Sequence, residues 1–386
     1  MKITVPTIDF GTSKIVTMVA QSNGERCDIV GSGAVPYSGY LQDGWNNPDE
    51  IRDVIRTAID QAQKTGNCRI HELNVGVPGM FTRVIVKEVH VSLTGPDPHV
   101  TAQDVRACFK LAEESGGDRI IHSAPAWFRV DDGKKTLSPV GIKGRELSAM
   151  IALVTADKYF IDDITYRLRD MDIEPREFYS TVAGEATYAL SQDERDKTAM
   201  LIDIGYLCTD VMVMEGDALI FHKCLDIGGG HISADIAEQL NIPFPFVEEK
   251  IKQTYSFNST NQDETYVIPA TEDEPARTVR RDEVTPIIEA KVEEIAEAIN
   301  KALEEGGVKL GKWSNVYLTG GGLILNKGGK DFLAGKLHRI IREAQRTNNK
   351  MTSHVFSSAV GLTILVVTTQ EAVSYTHLRA HETGAY

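Results

Sequence analysis

Ile8-Asp9-Phe10-Gly11-Thr12-Ser13-Lys14 and, about half a chain later, Ile202-Asp203-Ile204-Gly205-Tyr206-Leu207-Cys208-Thr209-Asp210 are two versions of one local pattern. Each follows an apolar, strand-like run (Ile3 to Ile8; Met200 to Ile202) and precedes another (Ile15 to Ala20; Val211 to Met214). A strand, a tight glycine-bearing turn and a returning strand make a hairpin whose turn amides can point at one anion. Two such hairpins facing each other would clamp a polyphosphate from both sides. The repetition implies a duplicated lobe with a nucleotide in a cleft.

A third element comes late. Val316-Tyr317-Leu318-Thr319 is a buried-strand pattern that runs into Gly320-Gly321-Gly322. Glycines permit positive φ and let backbone approach a ligand closely, because no Cβ intervenes. Alone, each of the three pieces reads equally well as an ordinary glycine turn. Their order, with an aspartate ending each of the first two strands, is what points to nucleotide. Gly228-Gly229-Gly230 after Asp226 is a weaker signal and reads first as a strand-to-helix turn, since His231 to Leu240 is helical in pattern.

A chain of 386 residues can bury more than one sizeable core. Its 42% hydrophobic and 25% charged content is that of a soluble globular protein. A net charge of −14 argues against broad nucleic-acid binding. Cys27, Cys68, Cys108, Cys208 and Cys224 are scattered and lack the spacing of a metal site, as expected for reduced cytosolic thiols. No basic region with a long apolar core marks a signal peptide. No apolar run is expected to reach the ~18–20 residues that span a bilayer; Gly361 to Val367, the most apolar stretch, reads as a core helix or strand.

The first copy continues with a strand over 28–34, an amphipathic helix over 48–64 and a strand over 73–77. The second continues with a Gly216-Asp217 turn, a strand over 218–225 and the helix from His231. Between them, 80–92 alternates as a strand, Thr101 caps a helix with Asp104 in capping-box position, and 119–130 and 146–155 are strand-like. Further on, 258–282 is polar and reads as an exposed loop or hairpin. Val284 to Leu303 is a long amphipathic helix ended by Gly306-Gly307. The expected division is a first lobe over 1–79, an inserted α+β subdomain over 80–160 and a return to the first lobe over 161–197. A second lobe over 198–241, a helical and hairpin subdomain over 242–306, and the glycine strand with a closing helix over 307–370 follow. Residues 371–386 include Ser374 to Tyr386, which lacks amphipathic period and resembles a translated cloning tail.

These motifs resemble the actin and heat-shock chaperone ATPase superfamily and, within it, the bacterial FtsA cell-division family. Two segments carry that resemblance most specifically. One is Arg119-Ile120-Ile121-His122 through Val130-Asp131-Asp132 with Pro139-Val140-Gly141-Ile142-Lys143-Gly144-Arg145-Glu146-Leu147. The other is Leu225-Asp226-Ile227-Gly228-Gly229-Gly230-His231-Ile232-Ser233-Ala234-Asp235-Ile236-Ala237. Ser358-Ala359-Val360-Gly361-Leu362 is similar to the family's closing helix. The resemblance implies an α/β, actin-like ATPase fold of two ribonuclease-H-like lobes with an α+β subdomain inserted in the first. It also implies ATP and Mg²⁺ as ligands, head-to-tail filaments, and a link between the division protein FtsZ and the inner membrane face. Arg281 and Lys291 stand where the acidic C-terminal peptide of FtsZ would dock; either could equally be a solvated surface charge.

On this reading Asp9 and Asp203 would hold a hydrated Mg²⁺, which relieves the repulsion of two close carboxylates; each could instead only cap its own turn. Gly11, Thr12, Ser13 and Lys14, with Gly205 and Thr209, would meet the phosphates. Gly320, Gly321 and Gly322 would underlie adenine and ribose, and Glu249 with Lys252 would reach the ribose unless they form a local ion pair. The family's second turn is Asp-x-Gly-Gly-Gly-Thr-Thr-Asp-like, whereas Tyr206, Leu207 and Cys208 stand here for two glycines and a threonine. If those positions need left-handed backbone, each non-glycine costs ~1–2 kcal/mol. Weak or absent hydrolysis is therefore expected. The amphipathic C-terminal helix that lays family members on a membrane is not evident in 371–386. Alternatives are a PilM-type pilus-assembly protein and a small-molecule kinase of the same fold, which would need a further catalytic carboxylate.

Overall fold

Runs of consecutive buried residues in the first two strands leave neither face exposed to water, so the sheet they form is covered on both sides. In the computed structural model, β1 (Ile3–Phe10), β2 (Lys14–Ser22) and β3 (Cys27–Pro36) form an antiparallel meander. Residues 3–41, 44–117, 119–261, 263–270, 275–311, 314–344 and 353–383 are described, with side chains as far as 372.

A short ladder of β4 (Tyr40–Leu41) and β5 (Gly44–Trp45) leads into α1 (Ile51–Gly66). Ile51, Ile55, Ala58, Ile59 and Ala62 of α1 are buried, and the helix returns the chain so that β6 (Glu72–Val77) runs parallel to β1. The insert then begins. β7 (Thr82–Ser92), β8 (Ile120–Val130) and β9 (Glu146–Ala156) make an antiparallel sheet in the order β7-β9-β8, covered by α2 (Ala102–Glu114). The expected capping box is present: Asp104 N–H donates to Thr101 Oγ1 at 3.3 Å and Thr101 N–H donates to Asp104 Oδ2 at 2.8 Å. After α3 (Lys158–Arg169), β10 (Glu174–Ser180) lies parallel to β6, which completes a sheet of order β10-β6-β1-β2-β3. Phe10, Trp45, Phe81 and Phe160 meet edge-on, tilted and, for Phe81 on Phe160, stacked in the core beneath it, with ring centroids 5.1–6.3 Å apart.

Following α4 (Thr181–Ala189) and the single turn α5 (Gln192–Arg195), the pattern repeats. β11 (Ala199–Ile204), β12 (Thr209–Glu215) and β13 (Ala218–Leu225) are succeeded by α6 (Gly229–Gln239). A turn α7 (Phe244–Phe246) continues into a π-helical segment, Val247–Lys252. A hairpin of β14 (Thr265–Ile268) and β15 (Arg277–Arg280) feeds α8 (Arg281–Glu305), in which Ile287, Ile288, Val292, Ile295, Ala296, Ile299 and Leu303 are buried. β16 (Asn315–Thr319), α9 (Gly329–Leu337) and β17 (Ile341–Glu343) close a second sheet of order β13-β12-β11-β16-β17. Both sheets thus place three meander strands beside two later ones in the same order.

Two compact units result. One comprises Met1–Ala199, Met212–His222 and Gln345–Tyr386; the other comprises Met200–Val211 and Lys223–Ala344. The closing helix α10 (Ser357–Thr383) belongs to the first, and continues through most of the stretch set aside as tail-like.

The expectation about apolar length is corrected here. The helical run His354–Ala372, 19 residues, is long and apolar enough to cross a bilayer by length and composition. Polar Thr and Ser interrupt its sequence, which is why no unbroken apolar run is visible in it. Leu362, Val366 and Val367 pack on Val5, Ala20 and Tyr179 of the first sheet, and Thr363 shares a hydroxyl hydrogen bond of 2.8 Å with Thr7. Gly361 lets α10 touch α4: a Cβ there would lie 2.5 Å from Glu185 Cα. Gly361→Val should therefore lower the urea-unfolding midpoint by the equivalent of about 1–3 kcal/mol or more. Gly335→Ala on α9, where a new Cβ meets nothing within 4 Å, should raise it by about 0.4–1 kcal/mol. Equal effects from the two substitutions would refute the backbone-contact argument.

Candidate nucleotide site

In the first unit, β1 ends in Asp9 and Phe10, and the turn is closed by Gly11 N–H donating to Lys14 O at 2.9 Å. Thr12 is buried and Ser13 half-buried; the Ser13 carbonyl accepts from Tyr37 N–H at 3.0 Å. Lys14 Nζ lies 5.3 Å from the centre of the Phe356 ring, an arrangement that steadies a cation without neutralising it. Asp9 is buried. Ser358 Oγ donates to its Oδ2 at 2.8 Å and Thr181 Oγ1 to its Oδ1 at 3.3 Å. Desolvation pushes its carboxyl above the ordinary value, with the two hydroxyls and the Lys14 charge only partly offsetting.

The second unit builds its turn in the same way: Gly205 N–H donates to Cys208 O at 2.9 Å. Around it the backbone is crowded. Gly322 N–H donates to Ile204 O at 2.7 Å, Gly229 N–H to Gly205 O at 2.9 Å and Gly230 N–H to Tyr206 O at 2.7 Å. A Cβ at Gly320, whose φ is +87°, would lie 2.0 Å from Asp203 Oδ1, and one at Gly322 would lie 2.4 Å from Gly205 O. So both glycine runs, including the 228–230 run that read as a mere helix entry, seat the Asp203 turn against backbone. Thr209 Oγ1 donates to Ile227 O at 2.7 Å.

Tyr206, Leu207 and Cys208 all keep negative φ, so the expected left-handed strain does not arise. The turn exports the side chains of Tyr206 and Leu207, which are half-buried, and buries that of Cys208. The Tyr206 ring lies over Gly230, where a Cβ would come within 3.0 Å, and 5.9 Å from Lys252 Nζ.

Lys252 is buried, and burial pulls its ammonium below the ordinary value while Glu248 partly restores it. Its partner is Glu248 at 3.2 Å, not Glu249, which is exposed. The wider i→i+5 turn of this segment brings residues four apart, rather than three, onto one face. Glu248 also accepts from Ser233 Oγ, and the Asn326 side-chain amide donates to Lys252 O at 2.6 Å and Tyr255 O at 3.1 Å. Sequence analysis missed Ser233, Glu248 and Asn326 in the second unit and Thr181 and Ser358 in the first. The strand-Ser-Thr-helix junction at 180–181 was the available signal for Thr181.

Two further expectations are corrected. Arg281 is buried, not a solvated cation: it pairs with Glu264 at 3.1 Å, donates to Ser256 O at 2.7 Å and stacks 4.4 Å above Tyr255. Lys291 is largely covered and held by Asp235 at 2.9 Å and by Glu294. Both charges are paired within their own unit.

The Asp9 environment fixes a pH response. A native carboxyl raised above its ordinary 3.8 binds more protons than the unfolded one, so its contribution to stability falls as pH rises from about that value. Asp9→Asn removes that loss. Urea-unfolding midpoints, measured without nucleotide or divalent cation, should show the variant gaining on the parent as pH rises. A variant midpoint that holds constant against the parent's, or falls behind it, as pH rises would contradict the assignment.

Comparison with known proteins agrees with this geometry. The family model "Cell division protein FtsA" matches residues 200–361, and "SHS2 domain inserted in FTSA" matches 79–155. The Pseudomonas aeruginosa cell division protein FtsA is 26% identical over 320 residues, 81% of this chain and 76% of that protein. The Bacillus subtilis one is 26% identical over 306 residues, covering 78% and 70%. Among solved structures, the PilM-PilN type IV pilus biogenesis complex aligns with a TM-score of 0.62 at 17% identity, covering 94% of this chain and 98% of that one. MreB 5 of Spiroplasma citri bound to AMPPNP aligns at 0.58 and 11%, covering 97% and 98%. With the same sheet order in both halves and an inserted three-stranded subdomain, the chain is an actin-like cell-division protein, a member of the FtsA family.

Proposed function

We propose that this protein is a nucleotide-binding scaffold of the division site that polymerises and links FtsZ filaments to the inner face of the cell membrane. The observation that carries the nucleotide half is the pair of identically closed turns, each following a strand that delivers an aspartate. MreB 5, on the same fold, was solved with AMPPNP. Each turn would meet phosphate with its own amides, Gly11–Lys14 in one unit and Gly205–Thr209 in the other, and Asp9 and Asp203 would each accept from a water of a hydrated Mg²⁺. The donor set fits. Asp9 is a buried carboxylate held by neutral hydroxyls, and a hydrated cation supplies the charge it lacks. Gly320 to Gly322 and Lys252 would border the base and ribose.

Turnover is proposed to be slow or absent. Thr209, the remaining hydroxyl of the second turn, is committed to Ile227 O, and Tyr206 and Leu207 stand where the family turn has glycine. ATP would then act by holding the fold in one state. An acidic peptide docking on 242–306 would compete with Glu264 for Arg281 and with Asp235 for Lys291.

A fluorescent ATP analogue should bind only with Mg²⁺ present. Asp9→Asn and Asp203→Asn should each weaken it by about ten- to a hundredfold, the loss of one charge-assisted hydrogen bond. A peptide copied from the FtsZ C-terminus should bind with little phosphate release. Parent-like nucleotide affinity in either variant would overturn the site. Binding of a pilus-assembly partner peptide in preference to the FtsZ one would favour the PilM-type alternative, and sugar-stimulated phosphate release a kinase.

A further inference from the structure

Sequence spacing gives the five cysteines no metal-binding pattern, but the fold brings two of them together. Cys208 is the last residue of the turn before β12, and Asp210 is the second residue of that strand. Cys224 lies near the end of β13, the neighbouring strand in the sheet. The two sulfurs and a carboxylate oxygen of Asp210 all lie within 4.8 Å of one another. Cys208 is buried and the other two are half-buried, a setting that shields sulfur from bulk water yet leaves a way in.

We infer that Cys208, Asp210 and Cys224 form a site for a thiophilic divalent cation of the Zn²⁺ class, with water as its fourth ligand. Tetrahedral zinc takes sulfur at ~2.3 Å and carboxylate oxygen at ~2.0–2.2 Å, so its ligand atoms sit roughly 3.5–3.8 Å apart. The three donors need to close by only about an ångström to reach that spacing. Two sulfurs and one oxygen discriminate against Mg²⁺ and Ca²⁺, which take oxygen donors. The site is therefore chemically separate from any Mg²⁺ carried by a nucleotide, although it adjoins the second turn. The Cys208 carbonyl closes that turn on Gly205 N–H, and Thr209 is tied to Ile227 just beyond Cys224. A bound ion would cross-link the base of the turn to β13 and stabilise the folded chain by mass action.

Co²⁺ titration of the reduced full-length protein tests this, because thiolate ligation produces a near-ultraviolet charge-transfer band. A saturable band of one ion per chain is expected, displaced by Zn²⁺. It should be lost in Cys208→Ser and Cys224→Ser, weakened at least about tenfold in affinity by Asp210→Asn, and kept when Cys27, Cys68 and Cys108 are all replaced by serine. The parent protein provides a second reading independent of variant folding: Zn²⁺ should protect Cys208 and Cys224, but not Cys27 or Cys68, from iodoacetamide. The inference is overturned by the lack of a saturable band, by a band that survives loss of Cys208 and Cys224, or by equal alkylation with and without zinc. Oxidation of the pair to a disulfide that takes no metal once reduced would overturn it as well.

Discussion

A backbone bond four residues wide, from the Gly11 amide to the Lys14 carbonyl and from the Gly205 amide to the Cys208 carbonyl, is the constraint on which both candidate half-sites depend. It closes each hairpin so tightly that the preceding aspartate sits at the strand end with fixed direction. The surroundings differ. In the first unit, hydroxyls from α4 and α10 grip the carboxylate, so burial is tolerated through neutral donors. In the second, the turn itself is held by amides of two glycine runs, and close backbone approach does the work that side chains do in the first.

That contrast explains how a second turn carrying Tyr206, Leu207 and Cys208 remains unstrained. The glycines that matter for its geometry are those that pack around it, at 228–230 and 320–322, rather than those within it. Replacing glycines within the turn therefore costs no left-handed backbone strain. The polar chain Ser233, Glu248, Lys252 then borders the exported Tyr206 ring, and each member is satisfied by another, as a buried network requires.

The closing helix illustrates a different balance. By composition it could enter a bilayer, yet its apolar face is used to cover the first sheet, and Gly361 permits the backbone contact with α4 that fixes its position. Burial of Leu362 and Val366 and the hydroxyl pair of Thr7 with Thr363 are properties of a core helix.

The sequence by itself determined the local architecture: both glycine hairpins, the capping box at Thr101, the apolar stripe of α8 and the glycine-bearing strand β16 follow from periods of two and 3.6 and from residues that permit few backbone conformations. These are short-range constraints, legible without knowing what the chain meets later. Tertiary structure alone decided the pairings. It gave Lys252 to Glu248 instead of Glu249, buried Arg281 on Tyr255 beside Glu264, set Ser358 on Asp9 from the far end of the chain, and brought Cys224 to Cys208 and Asp210 across a hairpin. Charge and sulfur carry no periodic signature. Their partners are fixed by which surfaces the apolar residues bring together, and that is a long-range outcome of packing.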